Sequence, residues 1–114
     1  MRRILALAAL AGVLGLGTIA RADDVATIVV RPRTTDVIKA TIHVGHRADV
    51  AVVGDGDTDL DLYVYDPYGR LVAYDDDETD HCYVRFCPRM SGTYTIKVVN
   101  RSTCLSNAYV IAIR

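Results

Sequence analysis

The chain has 114 residues, 13 basic and 14 acidic side chains and a formal charge of −1. A near-neutral balance excludes a phosphate-backbone binder, which needs clustered Lys and Arg. With Glu78 as the only glutamate and Lys39 and Lys97 as the only lysines, long salt-bridged helices are excluded too.

Residues 1–22 differ from the rest. Arg2 and Arg3 precede an apolar or small run from Ile4 to Ala20, and Ala20-Arg21-Ala22 closes it. That layout is expected of a cleaved export signal; a membrane anchor would be longer and less interrupted than a run carrying Gly12, Gly15 and Gly17. Three basic residues and no acidic one lie in this segment, so residues 23–114, 92 in number, carry −4. They make one small domain, expected outside the cytoplasm, secreted or periplasmic, with no stable membrane insertion.

From residue 26 onward the pattern is period two. ATIVV (26–30) reads as a strand ended by Pro32. Residues 35–44 place Ile38, Ala40, Ile42 and Val44 on one face, and DVAVV (49–53) follows a Gly45-His46 turn. In LDLYVY (60–65), Leu60, Leu62 and Val64 oppose Asp61, Tyr63 and Tyr65. Asp66-Pro67-Tyr68-Gly69 is a turn leading to RLVAY (70–74), the second arm of a hairpin. HCYVRF (81–86), TYTIKVV (93–99) and AYVIAI (108–113) complete eight strands. Turns every 8–12 residues predict an all-β, two-sheet antiparallel sandwich or barrel.

The chemistry concentrates in Asp55–Asp80, where ten acidic residues meet one basic residue, Arg70. Hard cations such as Ca²⁺ take carboxylate ligands, so Asp57, Asp59 and Asp61 with Asp75, Asp76 and Asp77 are the candidate calcium residues. The competing reading is a hydrated acidic rim. An EF-hand is excluded, because Leu60 stands where the loop requires Gly and Asp66 where it requires Glu. Tyr63, Tyr65 and Tyr83 lie on the outward phase and are candidate contacts for a protein, peptide or glycan. Tyr94 and Tyr109 are expected inside. Asn100-Arg101-Ser102 is a formal glycosylation sequon.

Three cysteines leave one thiol over if a disulfide forms. An extended Cys82–Cys87 segment is too long to be bridged, so the expected pair is Cys104 with Cys82 or Cys87; three free thiols, or an intermolecular link, is the alternative. No enzyme is expected. There is no G-x-S-x-G elbow, and adjacent His81 and Cys82 point to opposite faces of a strand.

GDTDLDLYVYDPYGRLVAYDDDE, YVRFCPRMSGTYTIKVVN and SNAYVIAI together resemble the bacterial pre-peptidase C-terminal domain family. The residues are Asp59, Asp61, Leu62 and Tyr63; Asp66, Pro67 and Gly69; Asp75 to Asp77; Ser91, Gly92 and Tyr94; and Tyr109. The resemblance implies a jelly-roll-like β-sandwich that is non-catalytic, with Ca²⁺ and substrate-polymer binding known in collagenase relatives. No peptidase domain accompanies it here, so the partner is expected to be another molecule. The resulting expectation is an exported accessory or binding module. Alternatives are a metal-free structural protein of the envelope and a small secreted peptidase inhibitor or effector.

Overall fold

A computed structural model describes residues 3–4, 18–21 and 24–114, with side chains from Val25 onward. Ten strands are present: β1 (Arg3–Ile4), β2 (Thr18–Arg21), β3 (Asp24–Val30), β4 (Thr35–Ile42), β5 (Ala48–Val53), β6 (Leu60–Tyr65), β7 (Leu71–Asp75), β8 (His81–Phe86), β9 (Gly92–Asn100) and β10 (Asn107–Ile113). The last eight are those anticipated from alternation. They form two four-stranded antiparallel sheets, in the orders β3-β10-β5-β8 and β4-β9-β6-β7. Consecutive strands cross between sheets except at the β6–β7 hairpin, which is the jelly-roll connection pattern. Among the described residues no helix is long and apolar enough to cross a membrane.

β1 and β2 come from the segment read as an export signal. β1 pairs parallel with β3, and β2 pairs parallel with β4 from Thr18↔Ile38 to Arg21↔Thr41. Most of that segment, residues 1–2, 5–17 and 22, lies outside the described residues, and so does residue 23, where the exported domain is expected to begin.

The core forms where the inward phases of the two sheets meet. Leu60, Leu62 and Val64 from β6, Ile96 and Val98 from β9, and Ile111 and Ile113 from β10 are all fully buried. Each such side chain contributes roughly 1.5–3 kcal/mol on leaving water. Tyr94 and Tyr109 are inside, as expected, and each hydroxyl is tethered: Tyr94 donates to the Met90 carbonyl at 2.7 Å, Tyr109 to Asp36 Oδ2 at 2.9 Å. Val44 departs from expectation. β4 ends at Ile42, and Val44 is exposed beside the Gly45 turn, its N–H donating to Ser91 Oγ.

The β6–β7 hairpin shows how local chemistry sets register. Gly69 N–H donates to the Asp66 carbonyl at 2.9 Å and Asp66 N–H to the Arg70 carbonyl at 2.8 Å. Gly69 has φ of 81°, a left-handed conformation that glycine adopts without strain. The register shifts between Val64 and Tyr65, so Tyr65 pairs with Leu71.

Candidate functional site

One end of the sandwich gathers the loops 54–59, 76–80 and 101–106, and with them most of the acidic run. Asp80, 5% exposed, is its anchor. Its Oδ2 accepts from Gly56 N–H at 2.6 Å and from the Asn107 amide at 3.0 Å, and Oδ1 lies 2.9 Å from His81 Nδ1. Burial opposes ionisation of Asp80, but the Asn107 amide, the Gly56 N–H and His81 together hold its carboxyl below the ordinary carboxylate range. Asn107 also accepts from Asp55 N–H and donates to Thr58 Oγ1. The two acidic loops and the start of β10 are thereby tied into one unit. A Cβ on Gly54 would collide with Asp80 Oδ2 and Asn107 Oδ1, which is why the chain passes here as glycine.

The six candidate calcium residues sit in different surroundings. Asp75 Oδ2 accepts from Tyr83 N–H at 2.9 Å, and Asp77 Oδ1 accepts from Thr79 N–H and Oγ1. Asp57 and Asp76 are exposed on the loops. Asp61, 4% exposed, is bound through Oδ2 by Arg101 Nε. Asp59 Oδ1 and Asp61 Oδ1 are buried and without a hydrogen-bond partner. Burial, with repulsion from Asp61, raises the Asp59 carboxyl above its ordinary value against the pull of Arg101. Among the described residues no three His, Cys, Asp or Glu side chains converge as a metal set. The positive charge set beside Asp59 and Asp61 is the Arg101 guanidinium.

The three candidate contact tyrosines fall on two different sheets. Tyr63 and Tyr65 lie on the outer face of β6: Tyr63 stacks on Tyr74 at 6.3 Å, and Lys97 Nζ sits 5.0 Å from the centre of the Tyr65 ring. Tyr83 is on β8 in the other sheet, half-exposed, its hydroxyl donating to Asp49 and its ring under Arg85.

A concavity lies on the open side, where edge strands β7 and β8 face each other. Two clefts of about 560 and 450 Å³ run there and share Leu71 and Val72. Phe86 and Tyr94, ring centres 5.9 Å apart, line the larger cleft with Pro88 and Met90, and Arg70 and Arg89 are on its wall. Leu71, Val72, Tyr74 and Tyr83, all exposed, line these clefts. β7 is less deeply covered than its neighbours: none of its five residues is buried, and Ala73 packs part-buried against the core.

The three thiols are free. Cys82 is buried and donates to the Leu60 carbonyl; burial pushes its thiol up to about 12, so no thiolate is available there for catalysis. Cys87 follows the end of β8, whereas Cys104 lies in the β9–β10 loop, at the end where β8 begins. The length of β8 separates them by roughly 17–20 Å. Asn100 of the sequon is 1% exposed, its amide donating to the Val30 and Leu105 carbonyls, which leaves it closed to glycan attachment in the folded state.

Sequence reasoning missed Asp80, Asn107, Asp36, Arg101 and Arg89. Burial of a polar residue at a strand end has no local signature, and Arg101 meets Asp61 across 40 residues.

No protein-family model matches the chain, and no curated protein matches it. Among solved structures it is similar to the pre-peptidase C-terminal domain of collagenase from Bacillus anthracis, with a TM-score of 0.69 and 14% identity over 87% of this chain and 95% of that one. A weaker likeness, TM-score 0.45 and 13% identity over 87% of this chain and 100% of the other, is to PliG of Aeromonas hydrophila, a periplasmic inhibitor of g-type lysozyme. At such identities the first likeness establishes a shared fold: the chain is an antiparallel β-sandwich built like a pre-peptidase C-terminal domain.

Proposed function

We propose that this chain is an exported, non-catalytic binding module that engages an extracytoplasmic protein or peptide along the open side between β7 and β8. The observation that carries the reading is the coincidence on one side of both clefts and four exposed large apolar or aromatic residues. Contiguous exposed apolar surface on a small domain marks an interaction site. The export part rests on the leader-like residues 1–22. The non-catalytic part is supported by the Cys82 geometry, since that thiol is buried and donates to the Leu60 carbonyl. In this reading Arg101, rather than Ca²⁺, neutralises the Asp59–Asp61 pair, and the acidic loops serve to brace one end of the sandwich.

The test uses the full chain in a Cys104→Ser background, leaving Cys87 as the exposed thiol beside the groove. Immobilised protein, with and without a bulky maleimide on Cys87, is presented to the extracytoplasmic fraction of its host. Retention of a defined protein by the unmodified form and its loss after modification is expected, with Tyr63→Ala retaining it. Equal retention by the modified form, or no retention at all, refutes the groove as the contact surface. Fractionation and N-terminal sequencing, expected to start near Asp23, check export.

A further inference from the structure

The edge of β8 offers ladder positions that its own sheet does not use. Asp49 on β5 lies opposite Arg85 in register, yet Asp49 N–H and carbonyl are both bonded to Arg114, at 2.8 and 2.9 Å. The Asp49–Arg85 pair is therefore a non-hydrogen-bonded one, and the Arg85 N–H and carbonyl point away from β5, into the groove. Two residues earlier, Tyr83 N–H points the same way and is capped by Asp75 Oδ2. That cap closes the edge at Tyr83 and leaves the edge at Arg85 open, in the wall of the smaller cleft and one residue before Phe86 of the larger.

The groove also carries more positive than negative charge. Arg70, Arg85 and Arg89 line the two clefts, and Asp66 is the one carboxylate among their lining residues. Arg70 is tied to Asp66 and Arg85 to Asp49, whereas Arg89 has no ion-pair partner among the described residues. Phe86 and Val72 supply apolar wall between these charges. Unused backbone groups, apolar wall and unmatched positive charge select one kind of occupant: a peptide in extended form, alternating apolar and acidic side chains.

We propose that the groove receives an extended acidic peptide that adds as a strand to the β8 edge at Arg85, with carboxylates toward Arg89 and Arg70 and an apolar side chain against Phe86 and Val72. This rests on the binding-module reading above and narrows its partner to an acidic extended segment.

The probe is a fluorescein-labelled, N-acetylated Glu-Val-Glu-Phe-Glu-Val-Glu peptide, titrated with the full chain and followed by anisotropy. Its controls are the same peptide with Lys for Glu, and an acidic version N-methylated on alternate amides, which cannot complete a ladder. The acidic peptide is expected to bind saturably, the lysine and N-methylated forms at least tenfold more weakly. Arg89→Glu, an exposed site whose fold is checked by its melting temperature, is expected to lose at least tenfold. Hydrogen exchange at the Arg85 amide should slow on adding the peptide. Equal binding of the lysine peptide, an unchanged Arg89→Glu variant, an N-methylated peptide that binds as well, an Arg85 amide whose exchange stays unchanged, or no saturable binding of the acidic peptide each overturns the proposal. If maleimide on Cys87 abolishes partner retention while the acidic peptide does not bind, the module reading survives and the occupant's chemistry falls.

Discussion

Replacing Asp80 by alanine should remove more stability than any other change in the acidic run. The carboxylate is 5% exposed and takes two donors from the interior, Gly56 N–H and the Asn107 amide. Hydrogen bonds to a charged acceptor contribute about 1.5–3 kcal/mol each, and a donor stranded without a partner adds its desolvation cost. His81, largely exposed, adds little. Asn107 keeps Thr58 and Asp55 as partners, which limits the loss, so Asp80→Ala is expected to cost about 3 kcal/mol. For a domain of this size that lowers the melting temperature by roughly 12–24 °C. Asp76→Ala, on an exposed loop residue, should stay within about 0.5 kcal/mol. The assay is urea denaturation at pH 7 and pH 3, with m values compared. Because the folded Asp80 carboxyl titrates below its ordinary value, its contribution is present at neutral pH and is lost as pH falls through the carboxylate range. The Asp80→Ala penalty should therefore shrink at pH 3. A loss under about 1 kcal/mol at pH 7, or one equal to that of Asp76→Ala, refutes the account of Asp80 as the anchor of this end.

Asp36 has the opposite sign. Burial raises its folded pKa, so its contribution favours low pH and is lost as pH rises through the carboxylate range. Asp36→Asn, which keeps an acceptor for Tyr109, should gain on the parent between pH 3 and pH 7 in the same denaturation assay; a constant difference would count against it. Adding 1 mM Ca²⁺ to chelator-treated protein should leave its thermal midpoint unmoved. A site of ~10 μM affinity would instead add about 2.7 kcal/mol, and such a rise would reinstate the ion. Arg101→Ala, which strands the Asp61 carboxylate, should cost about 1–3 kcal/mol by urea denaturation, below a fully buried pair because Arg101 is half exposed. Thiol titration of native protein should detect Cys87 and Cys104, and denaturation should add Cys82; a single thiol after denaturation would establish a bridge.

Period-two alternation marked the strands because in all but β7 the inward phase is buried against the facing sheet, and a one-residue slip would turn Leu60, Leu62 and Val64 outward. Where burial is weak, the same alternation was less informative. Val44 continues the apolar phase of β4 but stands past the strand's end, and β7 shows no buried residue at all. Strand pairing was not legible, since β10 inserting between β3 and β5 depends on contacts far apart in sequence. The candidate site was legible only as composition. Ten carboxylates in 26 residues announce electrostatic stress, but which one is buried depends on where loops cross. Asp80 is covered because the 54–59 loop and Asn107 close over it. The tyrosines were placed on the correct phase, yet phase does not say which sheet a strand joins, and Tyr83 parted from Tyr63 and Tyr65 for that reason.

The arrangement of these carboxylates explains how a domain with −4 charge tolerates them at one end. Like charges gathered without compensation raise one another's pKa and oppose folding. Here they are separated by function of position. Asp66 is held ionised mainly by the Arg70 backbone N–H, with the Tyr68 N–H and the Arg70 guanidinium, and closes the hairpin turn. Asp55 and Asp77 each accept a nearby N–H, and Asp75 reaches across to cap Tyr83 on the neighbouring sheet. Asp80 is compensated chiefly by neutral donors, which stabilise a carboxylate without adding a second charge to desolvate. Asp59 is repelled chiefly by Asp61 and less by Asp77 and Glu78, and Arg101 is the group set against the Asp59–Asp61 pair. A cation would have to compete with that guanidinium, so calcium affinity should rise when Arg101 is removed. The same Arg101→Ala protein titrated with Ca²⁺ is therefore the sharper test: a stabilising shift in the variant with none in the parent is expected, and no shift in either would show that the Asp59 and Asp61 oxygens are not poised for a cation at all.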